Sequence, residues 1–253
     1  MEFRKIPEQL ESLINISELE AALENPLWYL SSSKPWGPII DQYYLNPSDE
    51  GSKTAEWEAK KLEYTWLLAK MLEDQKVALG AWEPYYNDDE RVLPQKIAVI
   101  HHTSTWEDTP ISYIDALGLV RLYVPLFRDG VWGRNQPISS GHFYQGRQLF
   151  VGYHWLVYSD GTSIQVLDDN CMGFQAGDLS TNNQSISFAC VGDLQDSTPT
   201  AYAIEEINRI LQQKYVQVTT IFGHRDVLHQ GKHVNTICPG NRWEEWKDSL
   251  IIP

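Results

Sequence analysis

Three short apolar runs, two of them separated by a helical pattern, limit what this chain can fold into. The runs are KIAVI at 96–100, SISFACV at 185–191 and VQVTTIF at 216–222, and each is typical of a buried strand. Between the second and third runs, Thr198 and Pro199 begin a helical pattern with one apolar face, made of Ala203, Ile204, Ile207, Ile210 and Leu211. A helix between two strands is the crossover that parallel strands require, so we expect a parallel or mixed central sheet.

A hairpin and further helices complete the expected fold. VGYHWLVY at 151–158 and TSIQVL at 162–167 flank Ser159-Asp160-Gly161, and Asp-Gly is a favoured tight-turn pair. The segment 106–147 is predicted to be rich in loops, with a helix over 111–123. The fold class is therefore mixed α/β (α+β), with a central mixed β-sheet flanked by helices and an N-terminal helical extension.

The first 95 residues carry a helical pattern without a site. We predict a short helix opened by Pro7, a second helix started by a capping box of Ser17 and Glu20, and one long helix over 53–79. Five tryptophans in this part favour core packing over wall binding: Trp28, Trp36, Trp57, Trp66 and Trp82. The Pro-rich stretch 84–94 is taken as the boundary, so residues 1–95 are predicted to be an extension of unassigned role and 96–253 the functional domain.

Composition and charge exclude several classes of protein. The 253-residue chain has a formal net charge of −14, which argues against nucleic acid or an anionic membrane as partner because both require a basic face. No apolar run is long enough to insert into a membrane. Three cysteines, an odd number, do not form a disulfide framework. The opening MEFRKIPEQLESL lacks the apolar core of a secretory signal, so we expect a protein made in the cytoplasm that reaches a cell wall after lysis or non-classical export. Oligomeric state is not encoded in any recognisable pattern.

Two residues near the C-terminus suggest a metal site. His224 and Cys238 flank a polar, glycine-containing segment, and imidazole nitrogen and thiolate sulfur both suit zinc. If the strands that end at His101 and Phe222 run the same way, His101 and His224 emerge at one edge of the sheet. His101, His224 and Cys238 then form a three-ligand site with an open fourth position, which is the pattern of catalytic zinc.

Two alternatives stay open at this point. His229 and His233 lie between the two C-terminal ligands, and the residue pattern does not exclude either of them as a ligand. A different class of enzyme, a cysteine hydrolase, would use Cys238 as nucleophile and His224 as base.

Six motifs in order resemble a known family. They are VIHHTS at 99–104, VGYHWLV at 151–157, FQAG at 174–177, SISFACVGD at 185–193, GHRDV from 223 and TICPG ending at 240. Together they resemble the zinc-dependent N-acetylmuramoyl-L-alanine amidases, in the branch that contains phage lysozyme-type amidases and the catalytic peptidoglycan recognition proteins. The similarity runs from about Lys96 to Trp246.

The resemblance implies roles for individual residues. His101, His224 and Cys238 fall on the family's zinc ligands, Tyr153 falls on its catalytic tyrosine, and Thr236 falls where the recognition-protein amidases carry a threonine. The implied fold of 96–253 is a peptidoglycan recognition protein-like zinc amidase domain. The implied cofactor is Zn²⁺, and the implied partners are peptidoglycan or muropeptide fragments.

Three departures from the family pattern matter. Gln175 replaces the histidine of a common Trp-His-Ala-Gly motif, and we expect that histidine to lie near the substrate. Ala189 stands where the cytosolic recycling branch has a catalytic glutamate, which places this chain in the tyrosine-using branch. The segment between His101 and Tyr153 is longer than usual.

The predicted function is that of an endolysin-like hydrolase that cleaves the amide bond between N-acetylmuramic acid and L-alanine of the stem peptide. The alternative is a non-catalytic module that binds peptidoglycan. Recognition proteins without activity typically lose the cysteine ligand, and because Cys238 is present the enzyme is favoured.

Overall fold

The computed structural model describes residues 15–46, 54–81 and 93–253. Its helices are α1 Ile16–Ala22, α2 Trp36–Ile40, α3 Ala55–Glu73, α4 Ile111–Gly118, α5 Val124–Arg128, α6 Leu179–Gln184, α7 Ala201–Lys214 and α8 Trp243–Trp246. Its strands are β1 Ile97–His102, β2 Phe143–Tyr144, β3 Arg147–Gln148, β4 Trp155–Val157, β5 Ser163–Gln165, β6 Ser185–Cys190, β7 Thr220–Gly223, β8 Leu228–His229 and β9 Lys232–His233. π-Helical turns continue α2 over Asp41–Leu45 and α4 over Leu119–Tyr123, and short 3₁₀ turns cover His224–Asp226 and Lys247–Ser249.

The chain divides into two compact units. The first contains residues 1–84 together with 110–151, and the second contains 85–109 together with 152–253. The first unit therefore includes residues 110–151, which are most of the long segment between His101 and Tyr153, as well as the N-terminal helices. The separate roles proposed for 1–95 and 96–253 remain a prediction.

The first unit is helical and has an aromatic core of its own. Trp28 and Trp36 are fully buried there, with ring centroids 5.9 Å apart. Polar contacts join its two chain segments, since Arg128 pairs with Asp41 at 2.6 Å and the Tyr29 hydroxyl donates to a backbone carbonyl at position 136. Trp28 and Trp36 thus serve as core residues, as expected. Trp57 and Trp66 are half-buried, and Trp82 lies outside the described residues.

The N-terminal helix limits differ in detail from those predicted. Asn15, not Ser17, caps α1, because the Asn15 side chain accepts from the Glu18 N–H; the predicted capping box was wrong. The long helix begins after its cap Thr54 and ends at Glu73, because Gln75 adopts a left-handed φ of 54°. The helix predicted from Pro7 and nearly all of the 84–94 segment lie outside the described residues.

The second unit is built on a five-stranded sheet with the order β5-β4-β6-β1-β7. β4, β6, β1 and β7 run parallel, and β5 pairs antiparallel with β4 as the expected hairpin. α7 connects β6 to β7, so the predicted crossover and the mixed sheet are confirmed. β7 is shorter than predicted because a turn closed by the Val218 N–H and the Tyr215 carbonyl precedes it.

The two faces of this sheet differ in character. On one face, α7 contributes to a buried apolar cluster with strand residues that include Ile100, Phe188 and Cys190. The opposite face carries the alternate residues of β1 and β6, among them Val99, His101, Ser185 and Ser187. Polar side chains on a fully buried face need hydrogen-bond partners, and this face supplies the site described below. Among the helices of the described ranges, none has the length and apolar character needed to cross a membrane.

Candidate metal centre and active site

His101, His224 and Cys238 converge at the carboxyl edge of the sheet. His101 is the second-to-last residue of strand β1, and His224 directly follows strand β7. The register pairs Ile100 with Gly223. The residues that follow them, His101 and His224, therefore lie side by side. Cys238 returns to them from the loop after β9, and the three ligand atoms all lie within 4.8 Å of one another.

The spacing of these atoms fits a tetrahedral zinc ion. Cys238 Sγ lies 3.6 Å from His101 Nδ1, and the His101 and His224 ring centroids are 4.6 Å apart. Zinc bonds of about 2.0–2.3 Å require ligand atoms separated by about 3.5 Å, so small side-chain adjustments bring all three atoms into range. The donor set, two imidazoles and one thiol, is also one that zinc accepts.

Burial sets the protonation of the three ligands. It lowers the pKa of His224 to about 4 and that of His101 well below its usual value, where the neighbouring His224 adds to the effect. Both imidazoles are therefore neutral at pH 7, as a metal ligand must be. Burial also raises the pKa of the Cys238 thiol to about 12, against a smaller lowering by the His102 N–H. The thiolate is required both of a nucleophile and of a zinc ligand, so this thiol must lose its proton in either role.

Hydrogen bonds from the Gly-His-Arg-Asp segment at 223–226 hold His224 and Cys238 close together. The Arg225 N–H donates to the Cys238 carbonyl at 2.8 Å, and its guanidinium donates to the Gly240 carbonyl at 3.0 Å. Asp226 Oδ2 accepts from the Gly223 N–H at 2.9 Å and from the indole of Trp243 at 2.7 Å. Through these contacts Arg225 and Asp226 hold the backbone around His224 and Cys238 in place, a role that the sequence pattern alone did not predict.

Tyr153 lies beside the first ligand. Its ring centroid is 4.9 Å from that of His101, and it precedes β4. The next residue, His154, is fully buried and contacts the Ser187 hydroxyl at 2.8 Å and the Cys171 carbonyl at 3.0 Å. His154 therefore fastens the backbone next to Tyr153 to strand β6.

Thr236 stands two residues before the cysteine ligand. Its hydroxyl oxygen accepts from the Cys238 N–H at 3.1 Å, so it shapes the turn that presents Sγ. The side chain is partly exposed to solvent.

His229 and His233 are not part of the cluster. Both are exposed, on the two strands of the β8–β9 hairpin. The His229 ring lies 3.2 Å from an Asp178 carboxylate oxygen. Within the described residues, the metal-binding group contains only the three side chains named first.

Gln175 has a role that we did not predict. Gln175 replaces a family histidine that we expect near the substrate; in this chain the Gln175 side chain is buried and contacts the His101 ring, while the backbone of Ala176 hydrogen-bonds the ring of His224. In the sequence, the one indication of a functional role for Gln175 was its position inside a motif of the family.

A parallel-sheet edge that carries two neutral histidines, a cysteine and an adjacent tyrosine defines a candidate metal-dependent hydrolase. Residues 91–241 match the family model described as N-acetylmuramoyl-L-alanine amidase, and the chain belongs to this family. It is thus a peptidoglycan amidase, and peptidoglycan is its substrate.

Solved structures of similar fold include two enzymes and one recognition protein. The endolysin of bacteriophage Ph2119 from Thermus scotoductus is 22% identical, with a TM-score of 0.41 and coverage of 68% of this chain and 97% of that one. The amidase endolysin LysCS from Clostridium intestinale is 22% identical, with a TM-score of 0.43 and coverage of 69% and 93%. The Drosophila peptidoglycan recognition protein SD is 22% identical, with a TM-score of 0.38 and coverage of 60% and 78%. No curated protein sequence matches the chain.

Proposed function

We propose that this amidase works with one zinc ion held by His101, His224 and Cys238. The observation that carries the proposal is the convergence of three ligand atoms within 4.8 Å of one another at the edge of a parallel sheet. Three protein ligands and one open position are typical of catalytic rather than structural zinc. When bound, zinc supplies a Lewis acid for the scissile carbonyl and lowers the pKa of a coordinated water to about 7.

Tyr153 is proposed to stabilise the charge that develops on substrate. Hydrolysis of an amide passes through a tetrahedral intermediate whose oxygen gains negative charge, and a preorganised hydroxyl donor lowers the energy of that state. The Tyr153 ring beside His101 supports this role, since a substrate carbonyl must approach the same ligands.

Thr236 is proposed to orient the substrate amide or the attacking water. Its oxygen already accepts from the Cys238 N–H, so the hydroxyl proton is free to be directed toward the open side of the ligand set. The same contact also ties any movement of Thr236 to the position of Cys238.

The proposed reaction is hydrolysis of the lactyl-amide bond between N-acetylmuramic acid and L-alanine. Purified full-length protein, its measured zinc content and defined muropeptides provide the test. We expect one zinc per chain and products that separate the sugar lactyl group from the intact stem peptide. Loss of turnover in a chelator and recovery with Zn²⁺ would support the zinc proposal, while unchanged turnover in metal-free protein would contradict it.

A further inference from the structure

The Gln175 side chain connects His101, the first candidate histidine ligand, to Ser185 on strand β6. Gln175 Oε1 lies 2.5 Å from His101 Nε2, and Gln175 Nε2 donates to the Ser185 hydroxyl at 2.9 Å. Gln175 is 6% exposed, His101 is 1% exposed and Ser185 is fully buried. A buried polar group that loses its hydrogen bond destabilises the fold, so these contacts are favoured over other positions of the Gln175 side chain.

The backbone around Gln175 is itself held in place. Asn182 Oδ1 accepts from the Gln175 N–H at 3.3 Å and from the Ala176 N–H at 2.9 Å. The backbone of Ala176 hydrogen-bonds the ring of His224. One anchored segment therefore contacts both candidate histidine ligands, through the side chain of Gln175 and the backbone of Ala176.

The two ring nitrogens of His101 face different partners. Nδ1 lies 3.6 Å from Cys238 Sγ, whereas Nε2 lies against Gln175. A neutral imidazole carries one proton, so if Nε2 donates to Gln175 Oε1 then Nδ1 presents a lone pair toward Cys238. The opposite tautomer would place a proton on Nδ1, between the two ligands, and would prevent that nitrogen from binding a cation.

We propose that Gln175 is a positioning residue that holds His101 as the Nε2–H tautomer and so aims its Nδ1 lone pair into the metal centre. The inference rests on the proposed zinc function, because it concerns the same ligand set. The Gln175 carbonyl occupies the place that a carboxylate or backbone carbonyl takes behind other metal-binding histidines. Ser185, as the acceptor of the amide N–H, keeps Gln175 Oε1 turned toward His101.

Zinc affinity of the full-length chain tests the proposal without any substrate. Gln175→Met keeps the length of an unbranched side chain but removes the acceptor, so we expect zinc to bind about 10–100-fold more weakly in competition with a chromophoric chelator. Gln175→Glu restores an acceptor for His101 and should stay within a few-fold of wild type. Gln184→Met is the matched control, because the Gln184 side chain donates to Ser180 and not to a candidate ligand among the described residues; its zinc affinity should not change.

The tautomer itself can be observed in metal-free wild-type protein by ¹⁵N NMR of the histidine rings. We expect the His101 signals of a ring protonated at Nε2, and a shift toward mixed tautomers in Gln175→Met. The measurement on the wild type does not depend on the variant, so it still tests the tautomer if Gln175→Met fails to fold.

The outcomes separate this inference from the proposed function. A wild-type chain that binds no zinc would overturn the zinc proposal and this inference with it. A wild-type chain that binds zinc tightly, with equal affinity in Gln175→Met, would overturn only the positioning role. A dominant Nδ1–H tautomer in the wild type would also overturn it.

Discussion

Cys238 Sγ lies 3.6 Å from His101 Nδ1, although the two residues are 137 positions apart in the chain. The contact joins a strand in the middle of the sheet to a loop near the C-terminus, and it brings a thiol whose pKa burial raises to about 12 against a neutral imidazole. Such a thiol becomes a zinc ligand once it loses its proton.

Cys238→Ala should abolish stoichiometric zinc binding and activity together. Loss of a contact to a metal ligand costs about 10–100-fold in affinity or activity, so we expect loss of the ligand itself to exceed this range. Metal analysis alongside muropeptide turnover measures both effects. Full zinc content in an inactive Cys238→Ala protein would instead favour the cysteine hydrolase. Cys171→Ala is the control, since that cysteine is outside the ligand set.

Tyr153→Phe should lower kcat by about a hundredfold to a thousandfold, the usual cost of one lost donor to a developing oxyanion. Zinc content should remain at the wild-type value, because the aromatic ring beside His101 is kept. Steady-state kinetics with a defined muropeptide would show the effect. A Tyr153→Phe enzyme with wild-type kcat would mean that Tyr153 has a packing role alone.

The two exposed histidines of the β8–β9 hairpin provide a contrast with His224. We expect His229→Ala and His233→Ala to keep one zinc per chain, and His224→Ala to lose it. The reason is position, since only His224 belongs to the buried cluster. Zinc retained by His224→Ala and lost from either hairpin variant would reassign the second ligand.

Thr236→Val should weaken zinc binding and lower kcat, whereas Thr236→Ser should resemble the wild type. Valine keeps the shape of the threonine side chain but removes the oxygen that accepts from the Cys238 N–H at 3.1 Å. Losing one hydrogen bond of this kind costs about 1 kcal/mol, or roughly fivefold in zinc affinity. Equal values for Val and Ser at position 236 would contradict the importance of the hydroxyl.

The fully buried Asp115 predicts a pH dependence of stability. Burial raises its pKa to about 7, against smaller lowering by backbone N–H donors of Phe150 and Val151 and by the charge of Arg147. Because the folded state then binds a proton that the unfolded state releases near pH 4, this group's contribution to stability falls as pH rises from about 4 to 7. The slope is about 1.4 kcal/mol per pH unit.

Asp115→Asn should remove that slope. Asparagine retains an oxygen that accepts from the Phe150 N–H, as Asp115 Oδ1 does, but it does not ionise. Thermal unfolding midpoints of both proteins between pH 4 and 7 measure the difference. Parallel curves for wild type and Asp115→Asn would show that Asp115 does not control this pH range.

Local sequence patterns predicted the parallel strands of the sheet and a candidate set of metal ligands. Apolar runs and the helix between two of them predict parallel strands, because a crossover is the only short way to connect them. Strands that run the same way place His101 and His224 at one edge of the sheet, and the structure adds the register that pairs Ile100 with Gly223.

Tertiary structure alone decided the surroundings of those ligands. Side-chain partners such as Gln175 with His101, 74 positions apart, depend on which loop folds over the polar face of β1 and β6. The grouping of residues 110–151 with the N-terminal helices likewise follows from burial of a shared apolar core. The spacing of apolar residues along the chain predicts which face of a helix or strand is buried, but it does not predict which part of the chain covers that face. The sequence by itself therefore determined the strands and the candidate metal ligands, while the fold determined how each candidate ligand is held and which nitrogen of His101 faces Cys238.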